Sequence, residues 1–171
     1  MNNLVQEILR NPGIELDLDW ATSVQANTSA IERRCKALPG RRSIKKANQA
    51  AWLLKAITCI DLTTLSGDDT ENRVRRLCRK GRFPVRGDLL EQLDIDPGSI
   101  TTGAICVYHE MVGAAVRALE GSGIPVAAVS TGFPAGLSPY SLRLAEISES
   151  VDAGAEEIDI VISRRHVLTQ N

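Results

Sequence analysis

One aspartate lies in the middle of an apolar segment that has the pattern of a β-strand. Within residues 156–163, Ile158, Ile160 and Ile162 fall on one face by the two-residue period, and Asp159 falls on the other. A carboxylate in a strand covered on both faces loses hydration, which is unfavourable unless partners compensate. Asp159 is therefore either paired for structural reasons or placed for chemistry, and this strand alone leaves both interpretations open.

Two other strand-like segments carry side chains of a reactive type. Asp61 lies in the segment 57–62 and Cys106 in the segment 102–108. Like Asp159, each is expected toward the C-terminal end of its strand, with aliphatic neighbours on the opposite face. The alternatives are structural: Asp61 could accept hydrogen bonds from loop amides, and Cys106 could be a small buried core residue.

The elements that would position these side chains form a repeated strand–turn–helix series after residue 56. Such a series occurs in open doubly wound sheets and in the eight-stranded TIM barrel. The barrel is favoured because one face of every strand points inward, so that the three side chains would converge at its mouth. No Gly-rich phosphate-binding loop follows the first strand. The predicted strands are 57–62, 102–108, 125–130 and 156–163, and the predicted helices are 20–37, 44–56, 71–80, 110–119 and 139–153.

Composition excludes several classes of function. The chain has 171 residues, a formal net charge of −1 and 4% aromatic residues, which disfavours nucleic-acid partners. No apolar run is long enough to span a membrane, and no signal-peptide pattern begins the chain. None of the four cysteines forms a Cys-x-x-Cys pair, so we expect reduced, mostly buried thiols and a cytoplasmic location. A basic cluster within residues 33–46 is expected to be a solvated helix surface.

Four motifs in order give the chain a resemblance to a known family. They are Ile-Asp-Leu-Thr-Thr-Leu at 60–65, Cys-Val-Tyr at 106–108, Gly-Phe-Pro-Ala-Gly at 132–136 and Glu-Ile-Asp-Ile-Val-Ile at 157–162. Together they resemble the deoxyribose-phosphate aldolases, class I aldolases with a TIM-barrel fold. The segment 52–55 and the helical arm are similar to the animal form of these enzymes.

The resemblance implies reversible cleavage of 2-deoxy-D-ribose 5-phosphate to D-glyceraldehyde 3-phosphate and acetaldehyde, in deoxyribonucleotide catabolism. In this family a lysine forms a Schiff base with the sugar, and an aspartate matched by Asp159 takes part in proton transfer. Asp61, Thr63 and Cys106 match positions that line the substrate pocket. The resemblance implies no cofactor and no metal. As partners it implies a phosphosugar, no nucleic acid or membrane, and a homo-oligomer or association through open sheet edges.

The chain also departs from the family pattern. The Schiff-base lysine belongs to the sixth strand and its partner lysine to the seventh, whereas this chain has four predicted strands. Its lysines are Lys36, Lys45, Lys46, Lys55 and Lys80, and His109 stands where a proline is usual.

We therefore expect a helical N-terminal arm, residues 1–55, followed by a truncated barrel of the first four β/α units, residues 56–171. The isolated chain is expected to be inactive. Two alternatives stay open: a non-catalytic half-barrel acting as an interaction protein or truncated isoform, and a complete small α/β protein of the flavodoxin type.

Overall fold

The computed structural model describes residue 15 and residues 17–41 and 43–169, in two compact units divided between Ile44 and Lys45. The first unit holds helices α1 (Leu18–Ser23) and α2 (Thr28–Arg41). The sequence predicted one helix over 20–37, which is wrong. The chain is extended at Val24, and the Asn27 side chain accepts a hydrogen bond from the Ala30 N–H at 3.0 Å, which starts a second helix. The predicted domain division after residue 55 stays a prediction.

The second unit alternates helices with four short strands. Its strands are β1 (Asp61–Thr63), β2 (Ala104–Tyr108), β3 (Val126–Ser130) and β4 (Glu157–Ile160). Its helices are α3 (Lys46–Ile57), α4 (Glu71–Arg82), α5 (Gly87–Gln92), α6 (Val112–Leu119), α7 (Tyr140–Asp152) and α8 (Arg164–Thr169), with a 3-10 turn at His109–Met111.

The four strands are parallel and lie in the order β1-β2-β3-β4. The sequence predicted this order, and it is confirmed. A flavodoxin-like sheet has its first strand inside the sheet, between the second and the third. Because β1 is at an edge here, that alternative is excluded, and the sequential order is the one found in a TIM barrel.

The core lies on one face of the sheet, beneath the helices. Alternate strand residues pack against α4 and α6 on that face, where Ile105, Val107 and Ala128 are fully buried. The buried residues of the opposite face form a cluster to which no helix contributes. The helices thus cover one side of the sheet, as in a barrel wall whose other side faces the interior. None of the helices in the described part of the chain has the length and apolarity needed to span a bilayer.

Helix α4 shows why the sequence forms these units. Thr70 caps it by accepting a hydrogen bond from the Arg73 N–H at 3.4 Å, and the cations of its last turn favour the negative end of the helix dipole. Its buried residues, Val74, Cys78 and Gly81, recur at four- and three-residue spacing and face β2. Gly81 lies so close to the sheet that an added Cβ would be 2.6 Å from the Ile105 Cδ1 atom.

The first strand starts later than predicted. Residues up to Ile57 belong to α3, and the next three residues turn, with the Cys59 N–H donating to the Ala56 carbonyl at 3.0 Å. The apolar run at 57–62 predicts a strand, but its residues suit the end of a helix equally well. As a result Cys59 is exposed, as is Cys35, so the expectation of mostly buried thiols holds only for Cys78 and Cys106.

Candidate functional site

The face of the sheet that the helices leave uncovered, here called the open face, carries the side chains singled out in the sequence. One row of paired residues crosses all four strands: Thr63, Cys106, Ala127 and Glu157. Because side chains alternate along a strand, residues two positions away on each strand share this face. Asp61 lies there one row before, and Asp159 one row after.

The prediction that Asp61, Cys106 and Asp159 lie on a common face opposite the helices is confirmed, but two details are wrong. Asp61 is the first residue of β1 rather than near its C-terminal end, because the strand starts late. Asp159 is also not in a strand covered on both faces, since its own side is exposed. The Asp159 carboxylate is therefore exposed and does not need a buried partner to compensate for lost hydration.

In the register of the sheet, Asp61 and Asp159 are four residues apart, about 13 Å along the strands. Strands of a closed TIM barrel tilt by about 36°, so that residues at one height advance by about one position per strand. In such a barrel Cys106 and Asp159, two strands and two positions apart, would share a height, and Asp61 would lie one position lower.

Cys106 is the buried centre of the site. Only 2% of it is exposed, and it pairs in the sheet with Thr63, whose hydroxyl donates a hydrogen bond to the Asp61 carbonyl at 2.8 Å. Burial raises the pKa of the Cys106 thiol, and the negative charges of Asp159, Asp61 and Glu157 raise it further, while the neighbouring Thr63 side chain opposes them. The thiol is therefore kept neutral at ordinary pH, which suits packing or hydrogen bonding better than nucleophilic attack.

Glu157 is a member of this face that the motif reasoning did not select. It lies on β4 two residues before Asp159 and pairs with Ala127 in the row that contains Cys106. The two-residue period of the strand was sufficient to place it there. With Glu157, the open face has three carboxylates, so it attracts cationic groups.

The loops at the carboxyl ends of β2 and β3 form the rim of the open face. The Tyr108 ring meets the Phe133 ring edge to face, with centroids 6.1 Å apart. Behind them, Glu146 of α7 accepts a hydrogen bond from the Gly132 N–H at 2.9 Å and lies 3.7 Å from the Nδ1 atom of His109. Glu146 therefore connects the two loops.

A second connection joins the carboxyl ends of β3 and β4. The Thr131 hydroxyl accepts a hydrogen bond from the Val161 N–H at 2.7 Å and donates one to the Val161 carbonyl at 3.1 Å. Thr131 has a φ of 63°, in the left-handed region that a β-branched residue rarely adopts. The two hydrogen bonds hold this conformation and fix the end of the strand that bears Asp159.

All five lysines lie in the described part of the chain, and none is on a strand. Lys36 belongs to α2, Lys45 and Lys46 lie at the start of α3, Lys55 is in the last turn of α3, and Lys80 is in the last turn of α4. The open face thus has acids, a hydroxyl and a thiol, but no amine of its own.

Sheet order, helices on one side and polar residues on the other define the class of protein: a partial (β/α) barrel. A crystal structure from Coccidioides immitis assigned to the deoxyribose-phosphate aldolases is similar to the chain, with a TM-score of 0.55 and 22% identity over 69% of this chain and 40% of that one. At this identity the likeness concerns the fold. It agrees with the TIM-barrel family predicted from the sequence.

Sequence comparison shows which curated proteins the chain is similar to. The deoxyribose-phosphate aldolase of Mus musculus is 56% identical over 159 residues, which are 92% of this chain and 50% of the relative. That of Homo sapiens is 53% identical over 161 residues, 93% of this chain and 51% of the relative. No protein-family model matches the chain. The chain is thus similar over nearly its whole length to deoxyribose-phosphate aldolases, and it spans about half the length of the curated relatives it matches.

Proposed function

We propose that this chain supplies one half of a deoxyribose-phosphate aldolase site. The whole site would cleave 2-deoxy-D-ribose 5-phosphate reversibly to D-glyceraldehyde 3-phosphate and acetaldehyde, in the cytoplasm. The observation that carries the proposal is the placement of Asp159, Asp61, Thr63 and Cys106 on one face of a sequentially ordered parallel sheet. The similarity to about half of the length of the named relatives supports it.

In this proposal Asp159 has the catalytic role. It would exchange a proton with the substrate, directly or through a water, when the carbon–carbon bond breaks next to a lysine Schiff base. Cys106 and Thr63 would form the wall of the substrate pocket beside it, and Asp61 would contact the sugar from one position lower in the barrel. The reaction needs no cofactor, since the iminium is itself the electron sink.

The lysine amine has to come from outside these four β/α units. A Schiff base requires a deprotonated amine held next to the carbonyl, and a surface lysine has a pKa near ~10.4. None of the five lysines belongs to one of the four strands that form the open face, where such an amine would meet Asp159. We therefore expect no aldolase turnover from the isolated 171-residue chain.

Borohydride reduction in the presence of deoxyribose 5-phosphate tests this expectation. Mass spectrometry should find no stoichiometric adduct on any of the five lysines. Turnover that exceeds the background of an unrelated lysine-rich protein, and that is lost in Asp159→Asn, would refute our placement of the amine.

The family role of Asp159 is tested in a longer chain that includes the lysine-bearing strands. There Asp159→Asn should abolish turnover and leave the circular dichroism spectrum unchanged. The matched control is Asp152→Asn, because Asp152 is an exposed acid at the end of α7. Equal activity of the two variants would exclude a catalytic role for Asp159.

A second candidate function is a non-catalytic half-barrel that associates with other chains. The observation in its favour is that, among the described residues, β1 and β4 each have a strand neighbour on one side only, and that Ile160 is 58% and Ile162 61% exposed. Open strand edges and apolar patches favour association. Static light scattering should show a mass that rises with protein concentration. A concentration-independent monomer with a cooperative melt would contradict this candidate.

A further inference from the structure

A small polar cavity lies where the chain after β3 and the chain after β4 meet the first turns of α7 and α8. Its volume is about 230 Å³. Its walls include Ser138, Tyr140, Arg143, Ser163 and Arg165, and it shares no lining residue with the open-face site of Asp61, Thr63, Cys106 and Asp159. The proposed aldolase chemistry therefore does not account for it.

The lining of this cavity is cationic. Arg143, Arg165 and His166 line it, and no aspartate or glutamate is among its lining residues. The Ser138 hydroxyl adds a hydrogen-bonding group without negative charge, whereas the Ser163 hydroxyl already accepts from Arg143 and donates to the Gly136 carbonyl at 3.2 Å. An anion entering the cavity would thus meet positive charge and donors, without a competing carboxylate.

Arg143 is held in place but has an unused donor. One of its terminal nitrogens donates to the Ser163 hydroxyl at 2.7 Å, and its guanidinium carbon lies 5.5 Å from the centre of the Tyr140 ring. Its Nε atom is buried and has no hydrogen-bond partner in the described structure. A buried guanidinium N–H without an acceptor is unfavourable, and none of the described residues supplies one.

The N-terminus of helix α7 adds positive electrostatic potential to the cavity. The helix is 13 residues long, and no side chain caps its N-terminus at Pro139. Its first N–H groups have no partner within the helix, and they carry the positive end of the helix dipole. Both Pro139 and Tyr140 line the cavity, so the N-terminal turn borders the same space as the two arginines.

We propose that this cavity binds an oxyanion of the phosphate type, either as inorganic phosphate or as the phosphate group of a small phosphomonoester. The planar donors of a guanidinium match two oxygens of a phosphate, and the Ser138 hydroxyl and helix N–H groups can serve the others. Arg143 is the fixed anchor of the site, and the exposed Arg165 closes on the anion from α8.

Titration of the full 171-residue chain with inorganic phosphate, at constant ionic strength set by chloride, tests the proposal. Calorimetry or the phosphorus-31 line width measures the affinity. Arg165→Gln should lower the affinity about tenfold, the equivalent of one charged hydrogen bond. The matched control is Arg164→Gln, because Arg164 is the neighbouring exposed arginine and does not line the cavity. This control should bind phosphate as the unchanged chain does.

A second variant tests the anchor of the site while the fold is monitored independently. Arg143→Lys keeps the charge but removes the planar donors, and it should also weaken binding while the circular dichroism spectrum is retained. Tighter binding of glycerol 2-phosphate than of inorganic phosphate would identify a phosphomonoester as the ligand, and the reverse order would identify free phosphate. Absence of saturable binding to both, or equal binding by the Arg165 and Arg164 variants, would overturn the proposal. None of these measurements depends on aldolase turnover.

Discussion

Replacing Gly81 by alanine should destabilise the fold, although alanine is the better helix former. Gly81 lies in the last turn of α4 and is buried against β2, the strand that bears Cys106. A Cβ atom there would be 2.6 Å from the Ile105 Cδ1 atom and 2.8 Å from the Thr102 Oγ1 atom. Both residues are buried, so neither side chain can move away into solvent.

The expected change in the free energy of unfolding of Gly81→Ala is the difference between two opposing contributions. Overpacking a well-packed core costs about 1–3 kcal/mol, and replacing glycine by alanine in a helix contributes at most about 0.5–1 kcal/mol in the opposite direction. The net loss in the free energy of unfolding should be about 1–2 kcal/mol. For a unit of this size each kcal/mol corresponds to a shift in Tm of about 3–6 °C.

The matched control is Gly113→Ala in α6. The nearest atom to its added Cβ is a terminal nitrogen of Arg117 at 3.4 Å, and that side chain is exposed and can shift. This variant should be at least as stable as the original chain. Thermal unfolding of both variants, followed by circular dichroism at equal protein concentration, makes the comparison. An unchanged or raised Tm for Gly81→Ala, or a larger loss for Gly113→Ala, would refute the close packing of α4 on β2.

Two further predictions concern the site. Thr131→Val keeps the shape of the side chain but removes both hydrogen bonds to Val161. It should lower the free energy of unfolding by about 2 kcal/mol, as measured by urea denaturation. A loss of stability no larger than that of Thr131→Ser would contradict the role given to the hydroxyl. At pH 8, iodoacetamide should label Cys35 and Cys59 before Cys106, because burial and nearby carboxylates raise the pKa of the Cys106 thiol and keep it protonated below that value. Peptide mass spectrometry gives the order, and early labelling of Cys106 would refute its burial.

The sequence was sufficient to predict the sheet because its signals there are local and repeated. The segments of β1 and β4 alternate between aliphatic and polar residues, and in β2 Cys106 lies between Ile105 and Val107, so the two-residue period places Asp61, Cys106 and Asp159 on one face before any contact is known. The caps of the helices are equally local, as Thr70 shows.

Features that depend on competition between elements, or on distant partners, were not predictable in this way. The residues near Ile57 suit a helix end as well as a strand start, and the extension of α3 decides between them. The cationic cavity depends on Arg143 meeting Ser163, twenty residues further along the chain, so no motif could indicate it. The coverage of the two faces of the sheet likewise follows from where the helices pack, which the periodicity of one strand does not show.

The sequential order of the strands has a consequence for how the chain can acquire its structure during synthesis. Each strand pairs only with the strands before and after it in the chain, and α4 and α6 pack on those same neighbours. The strand of each newly made β/α unit can therefore pair with the strand of the unit made just before it. Such short-range contacts favour rapid folding, and N-terminal elements generally fold first during translation. The fold can thus grow by successive addition from α4 onward, with β4 as its growing edge.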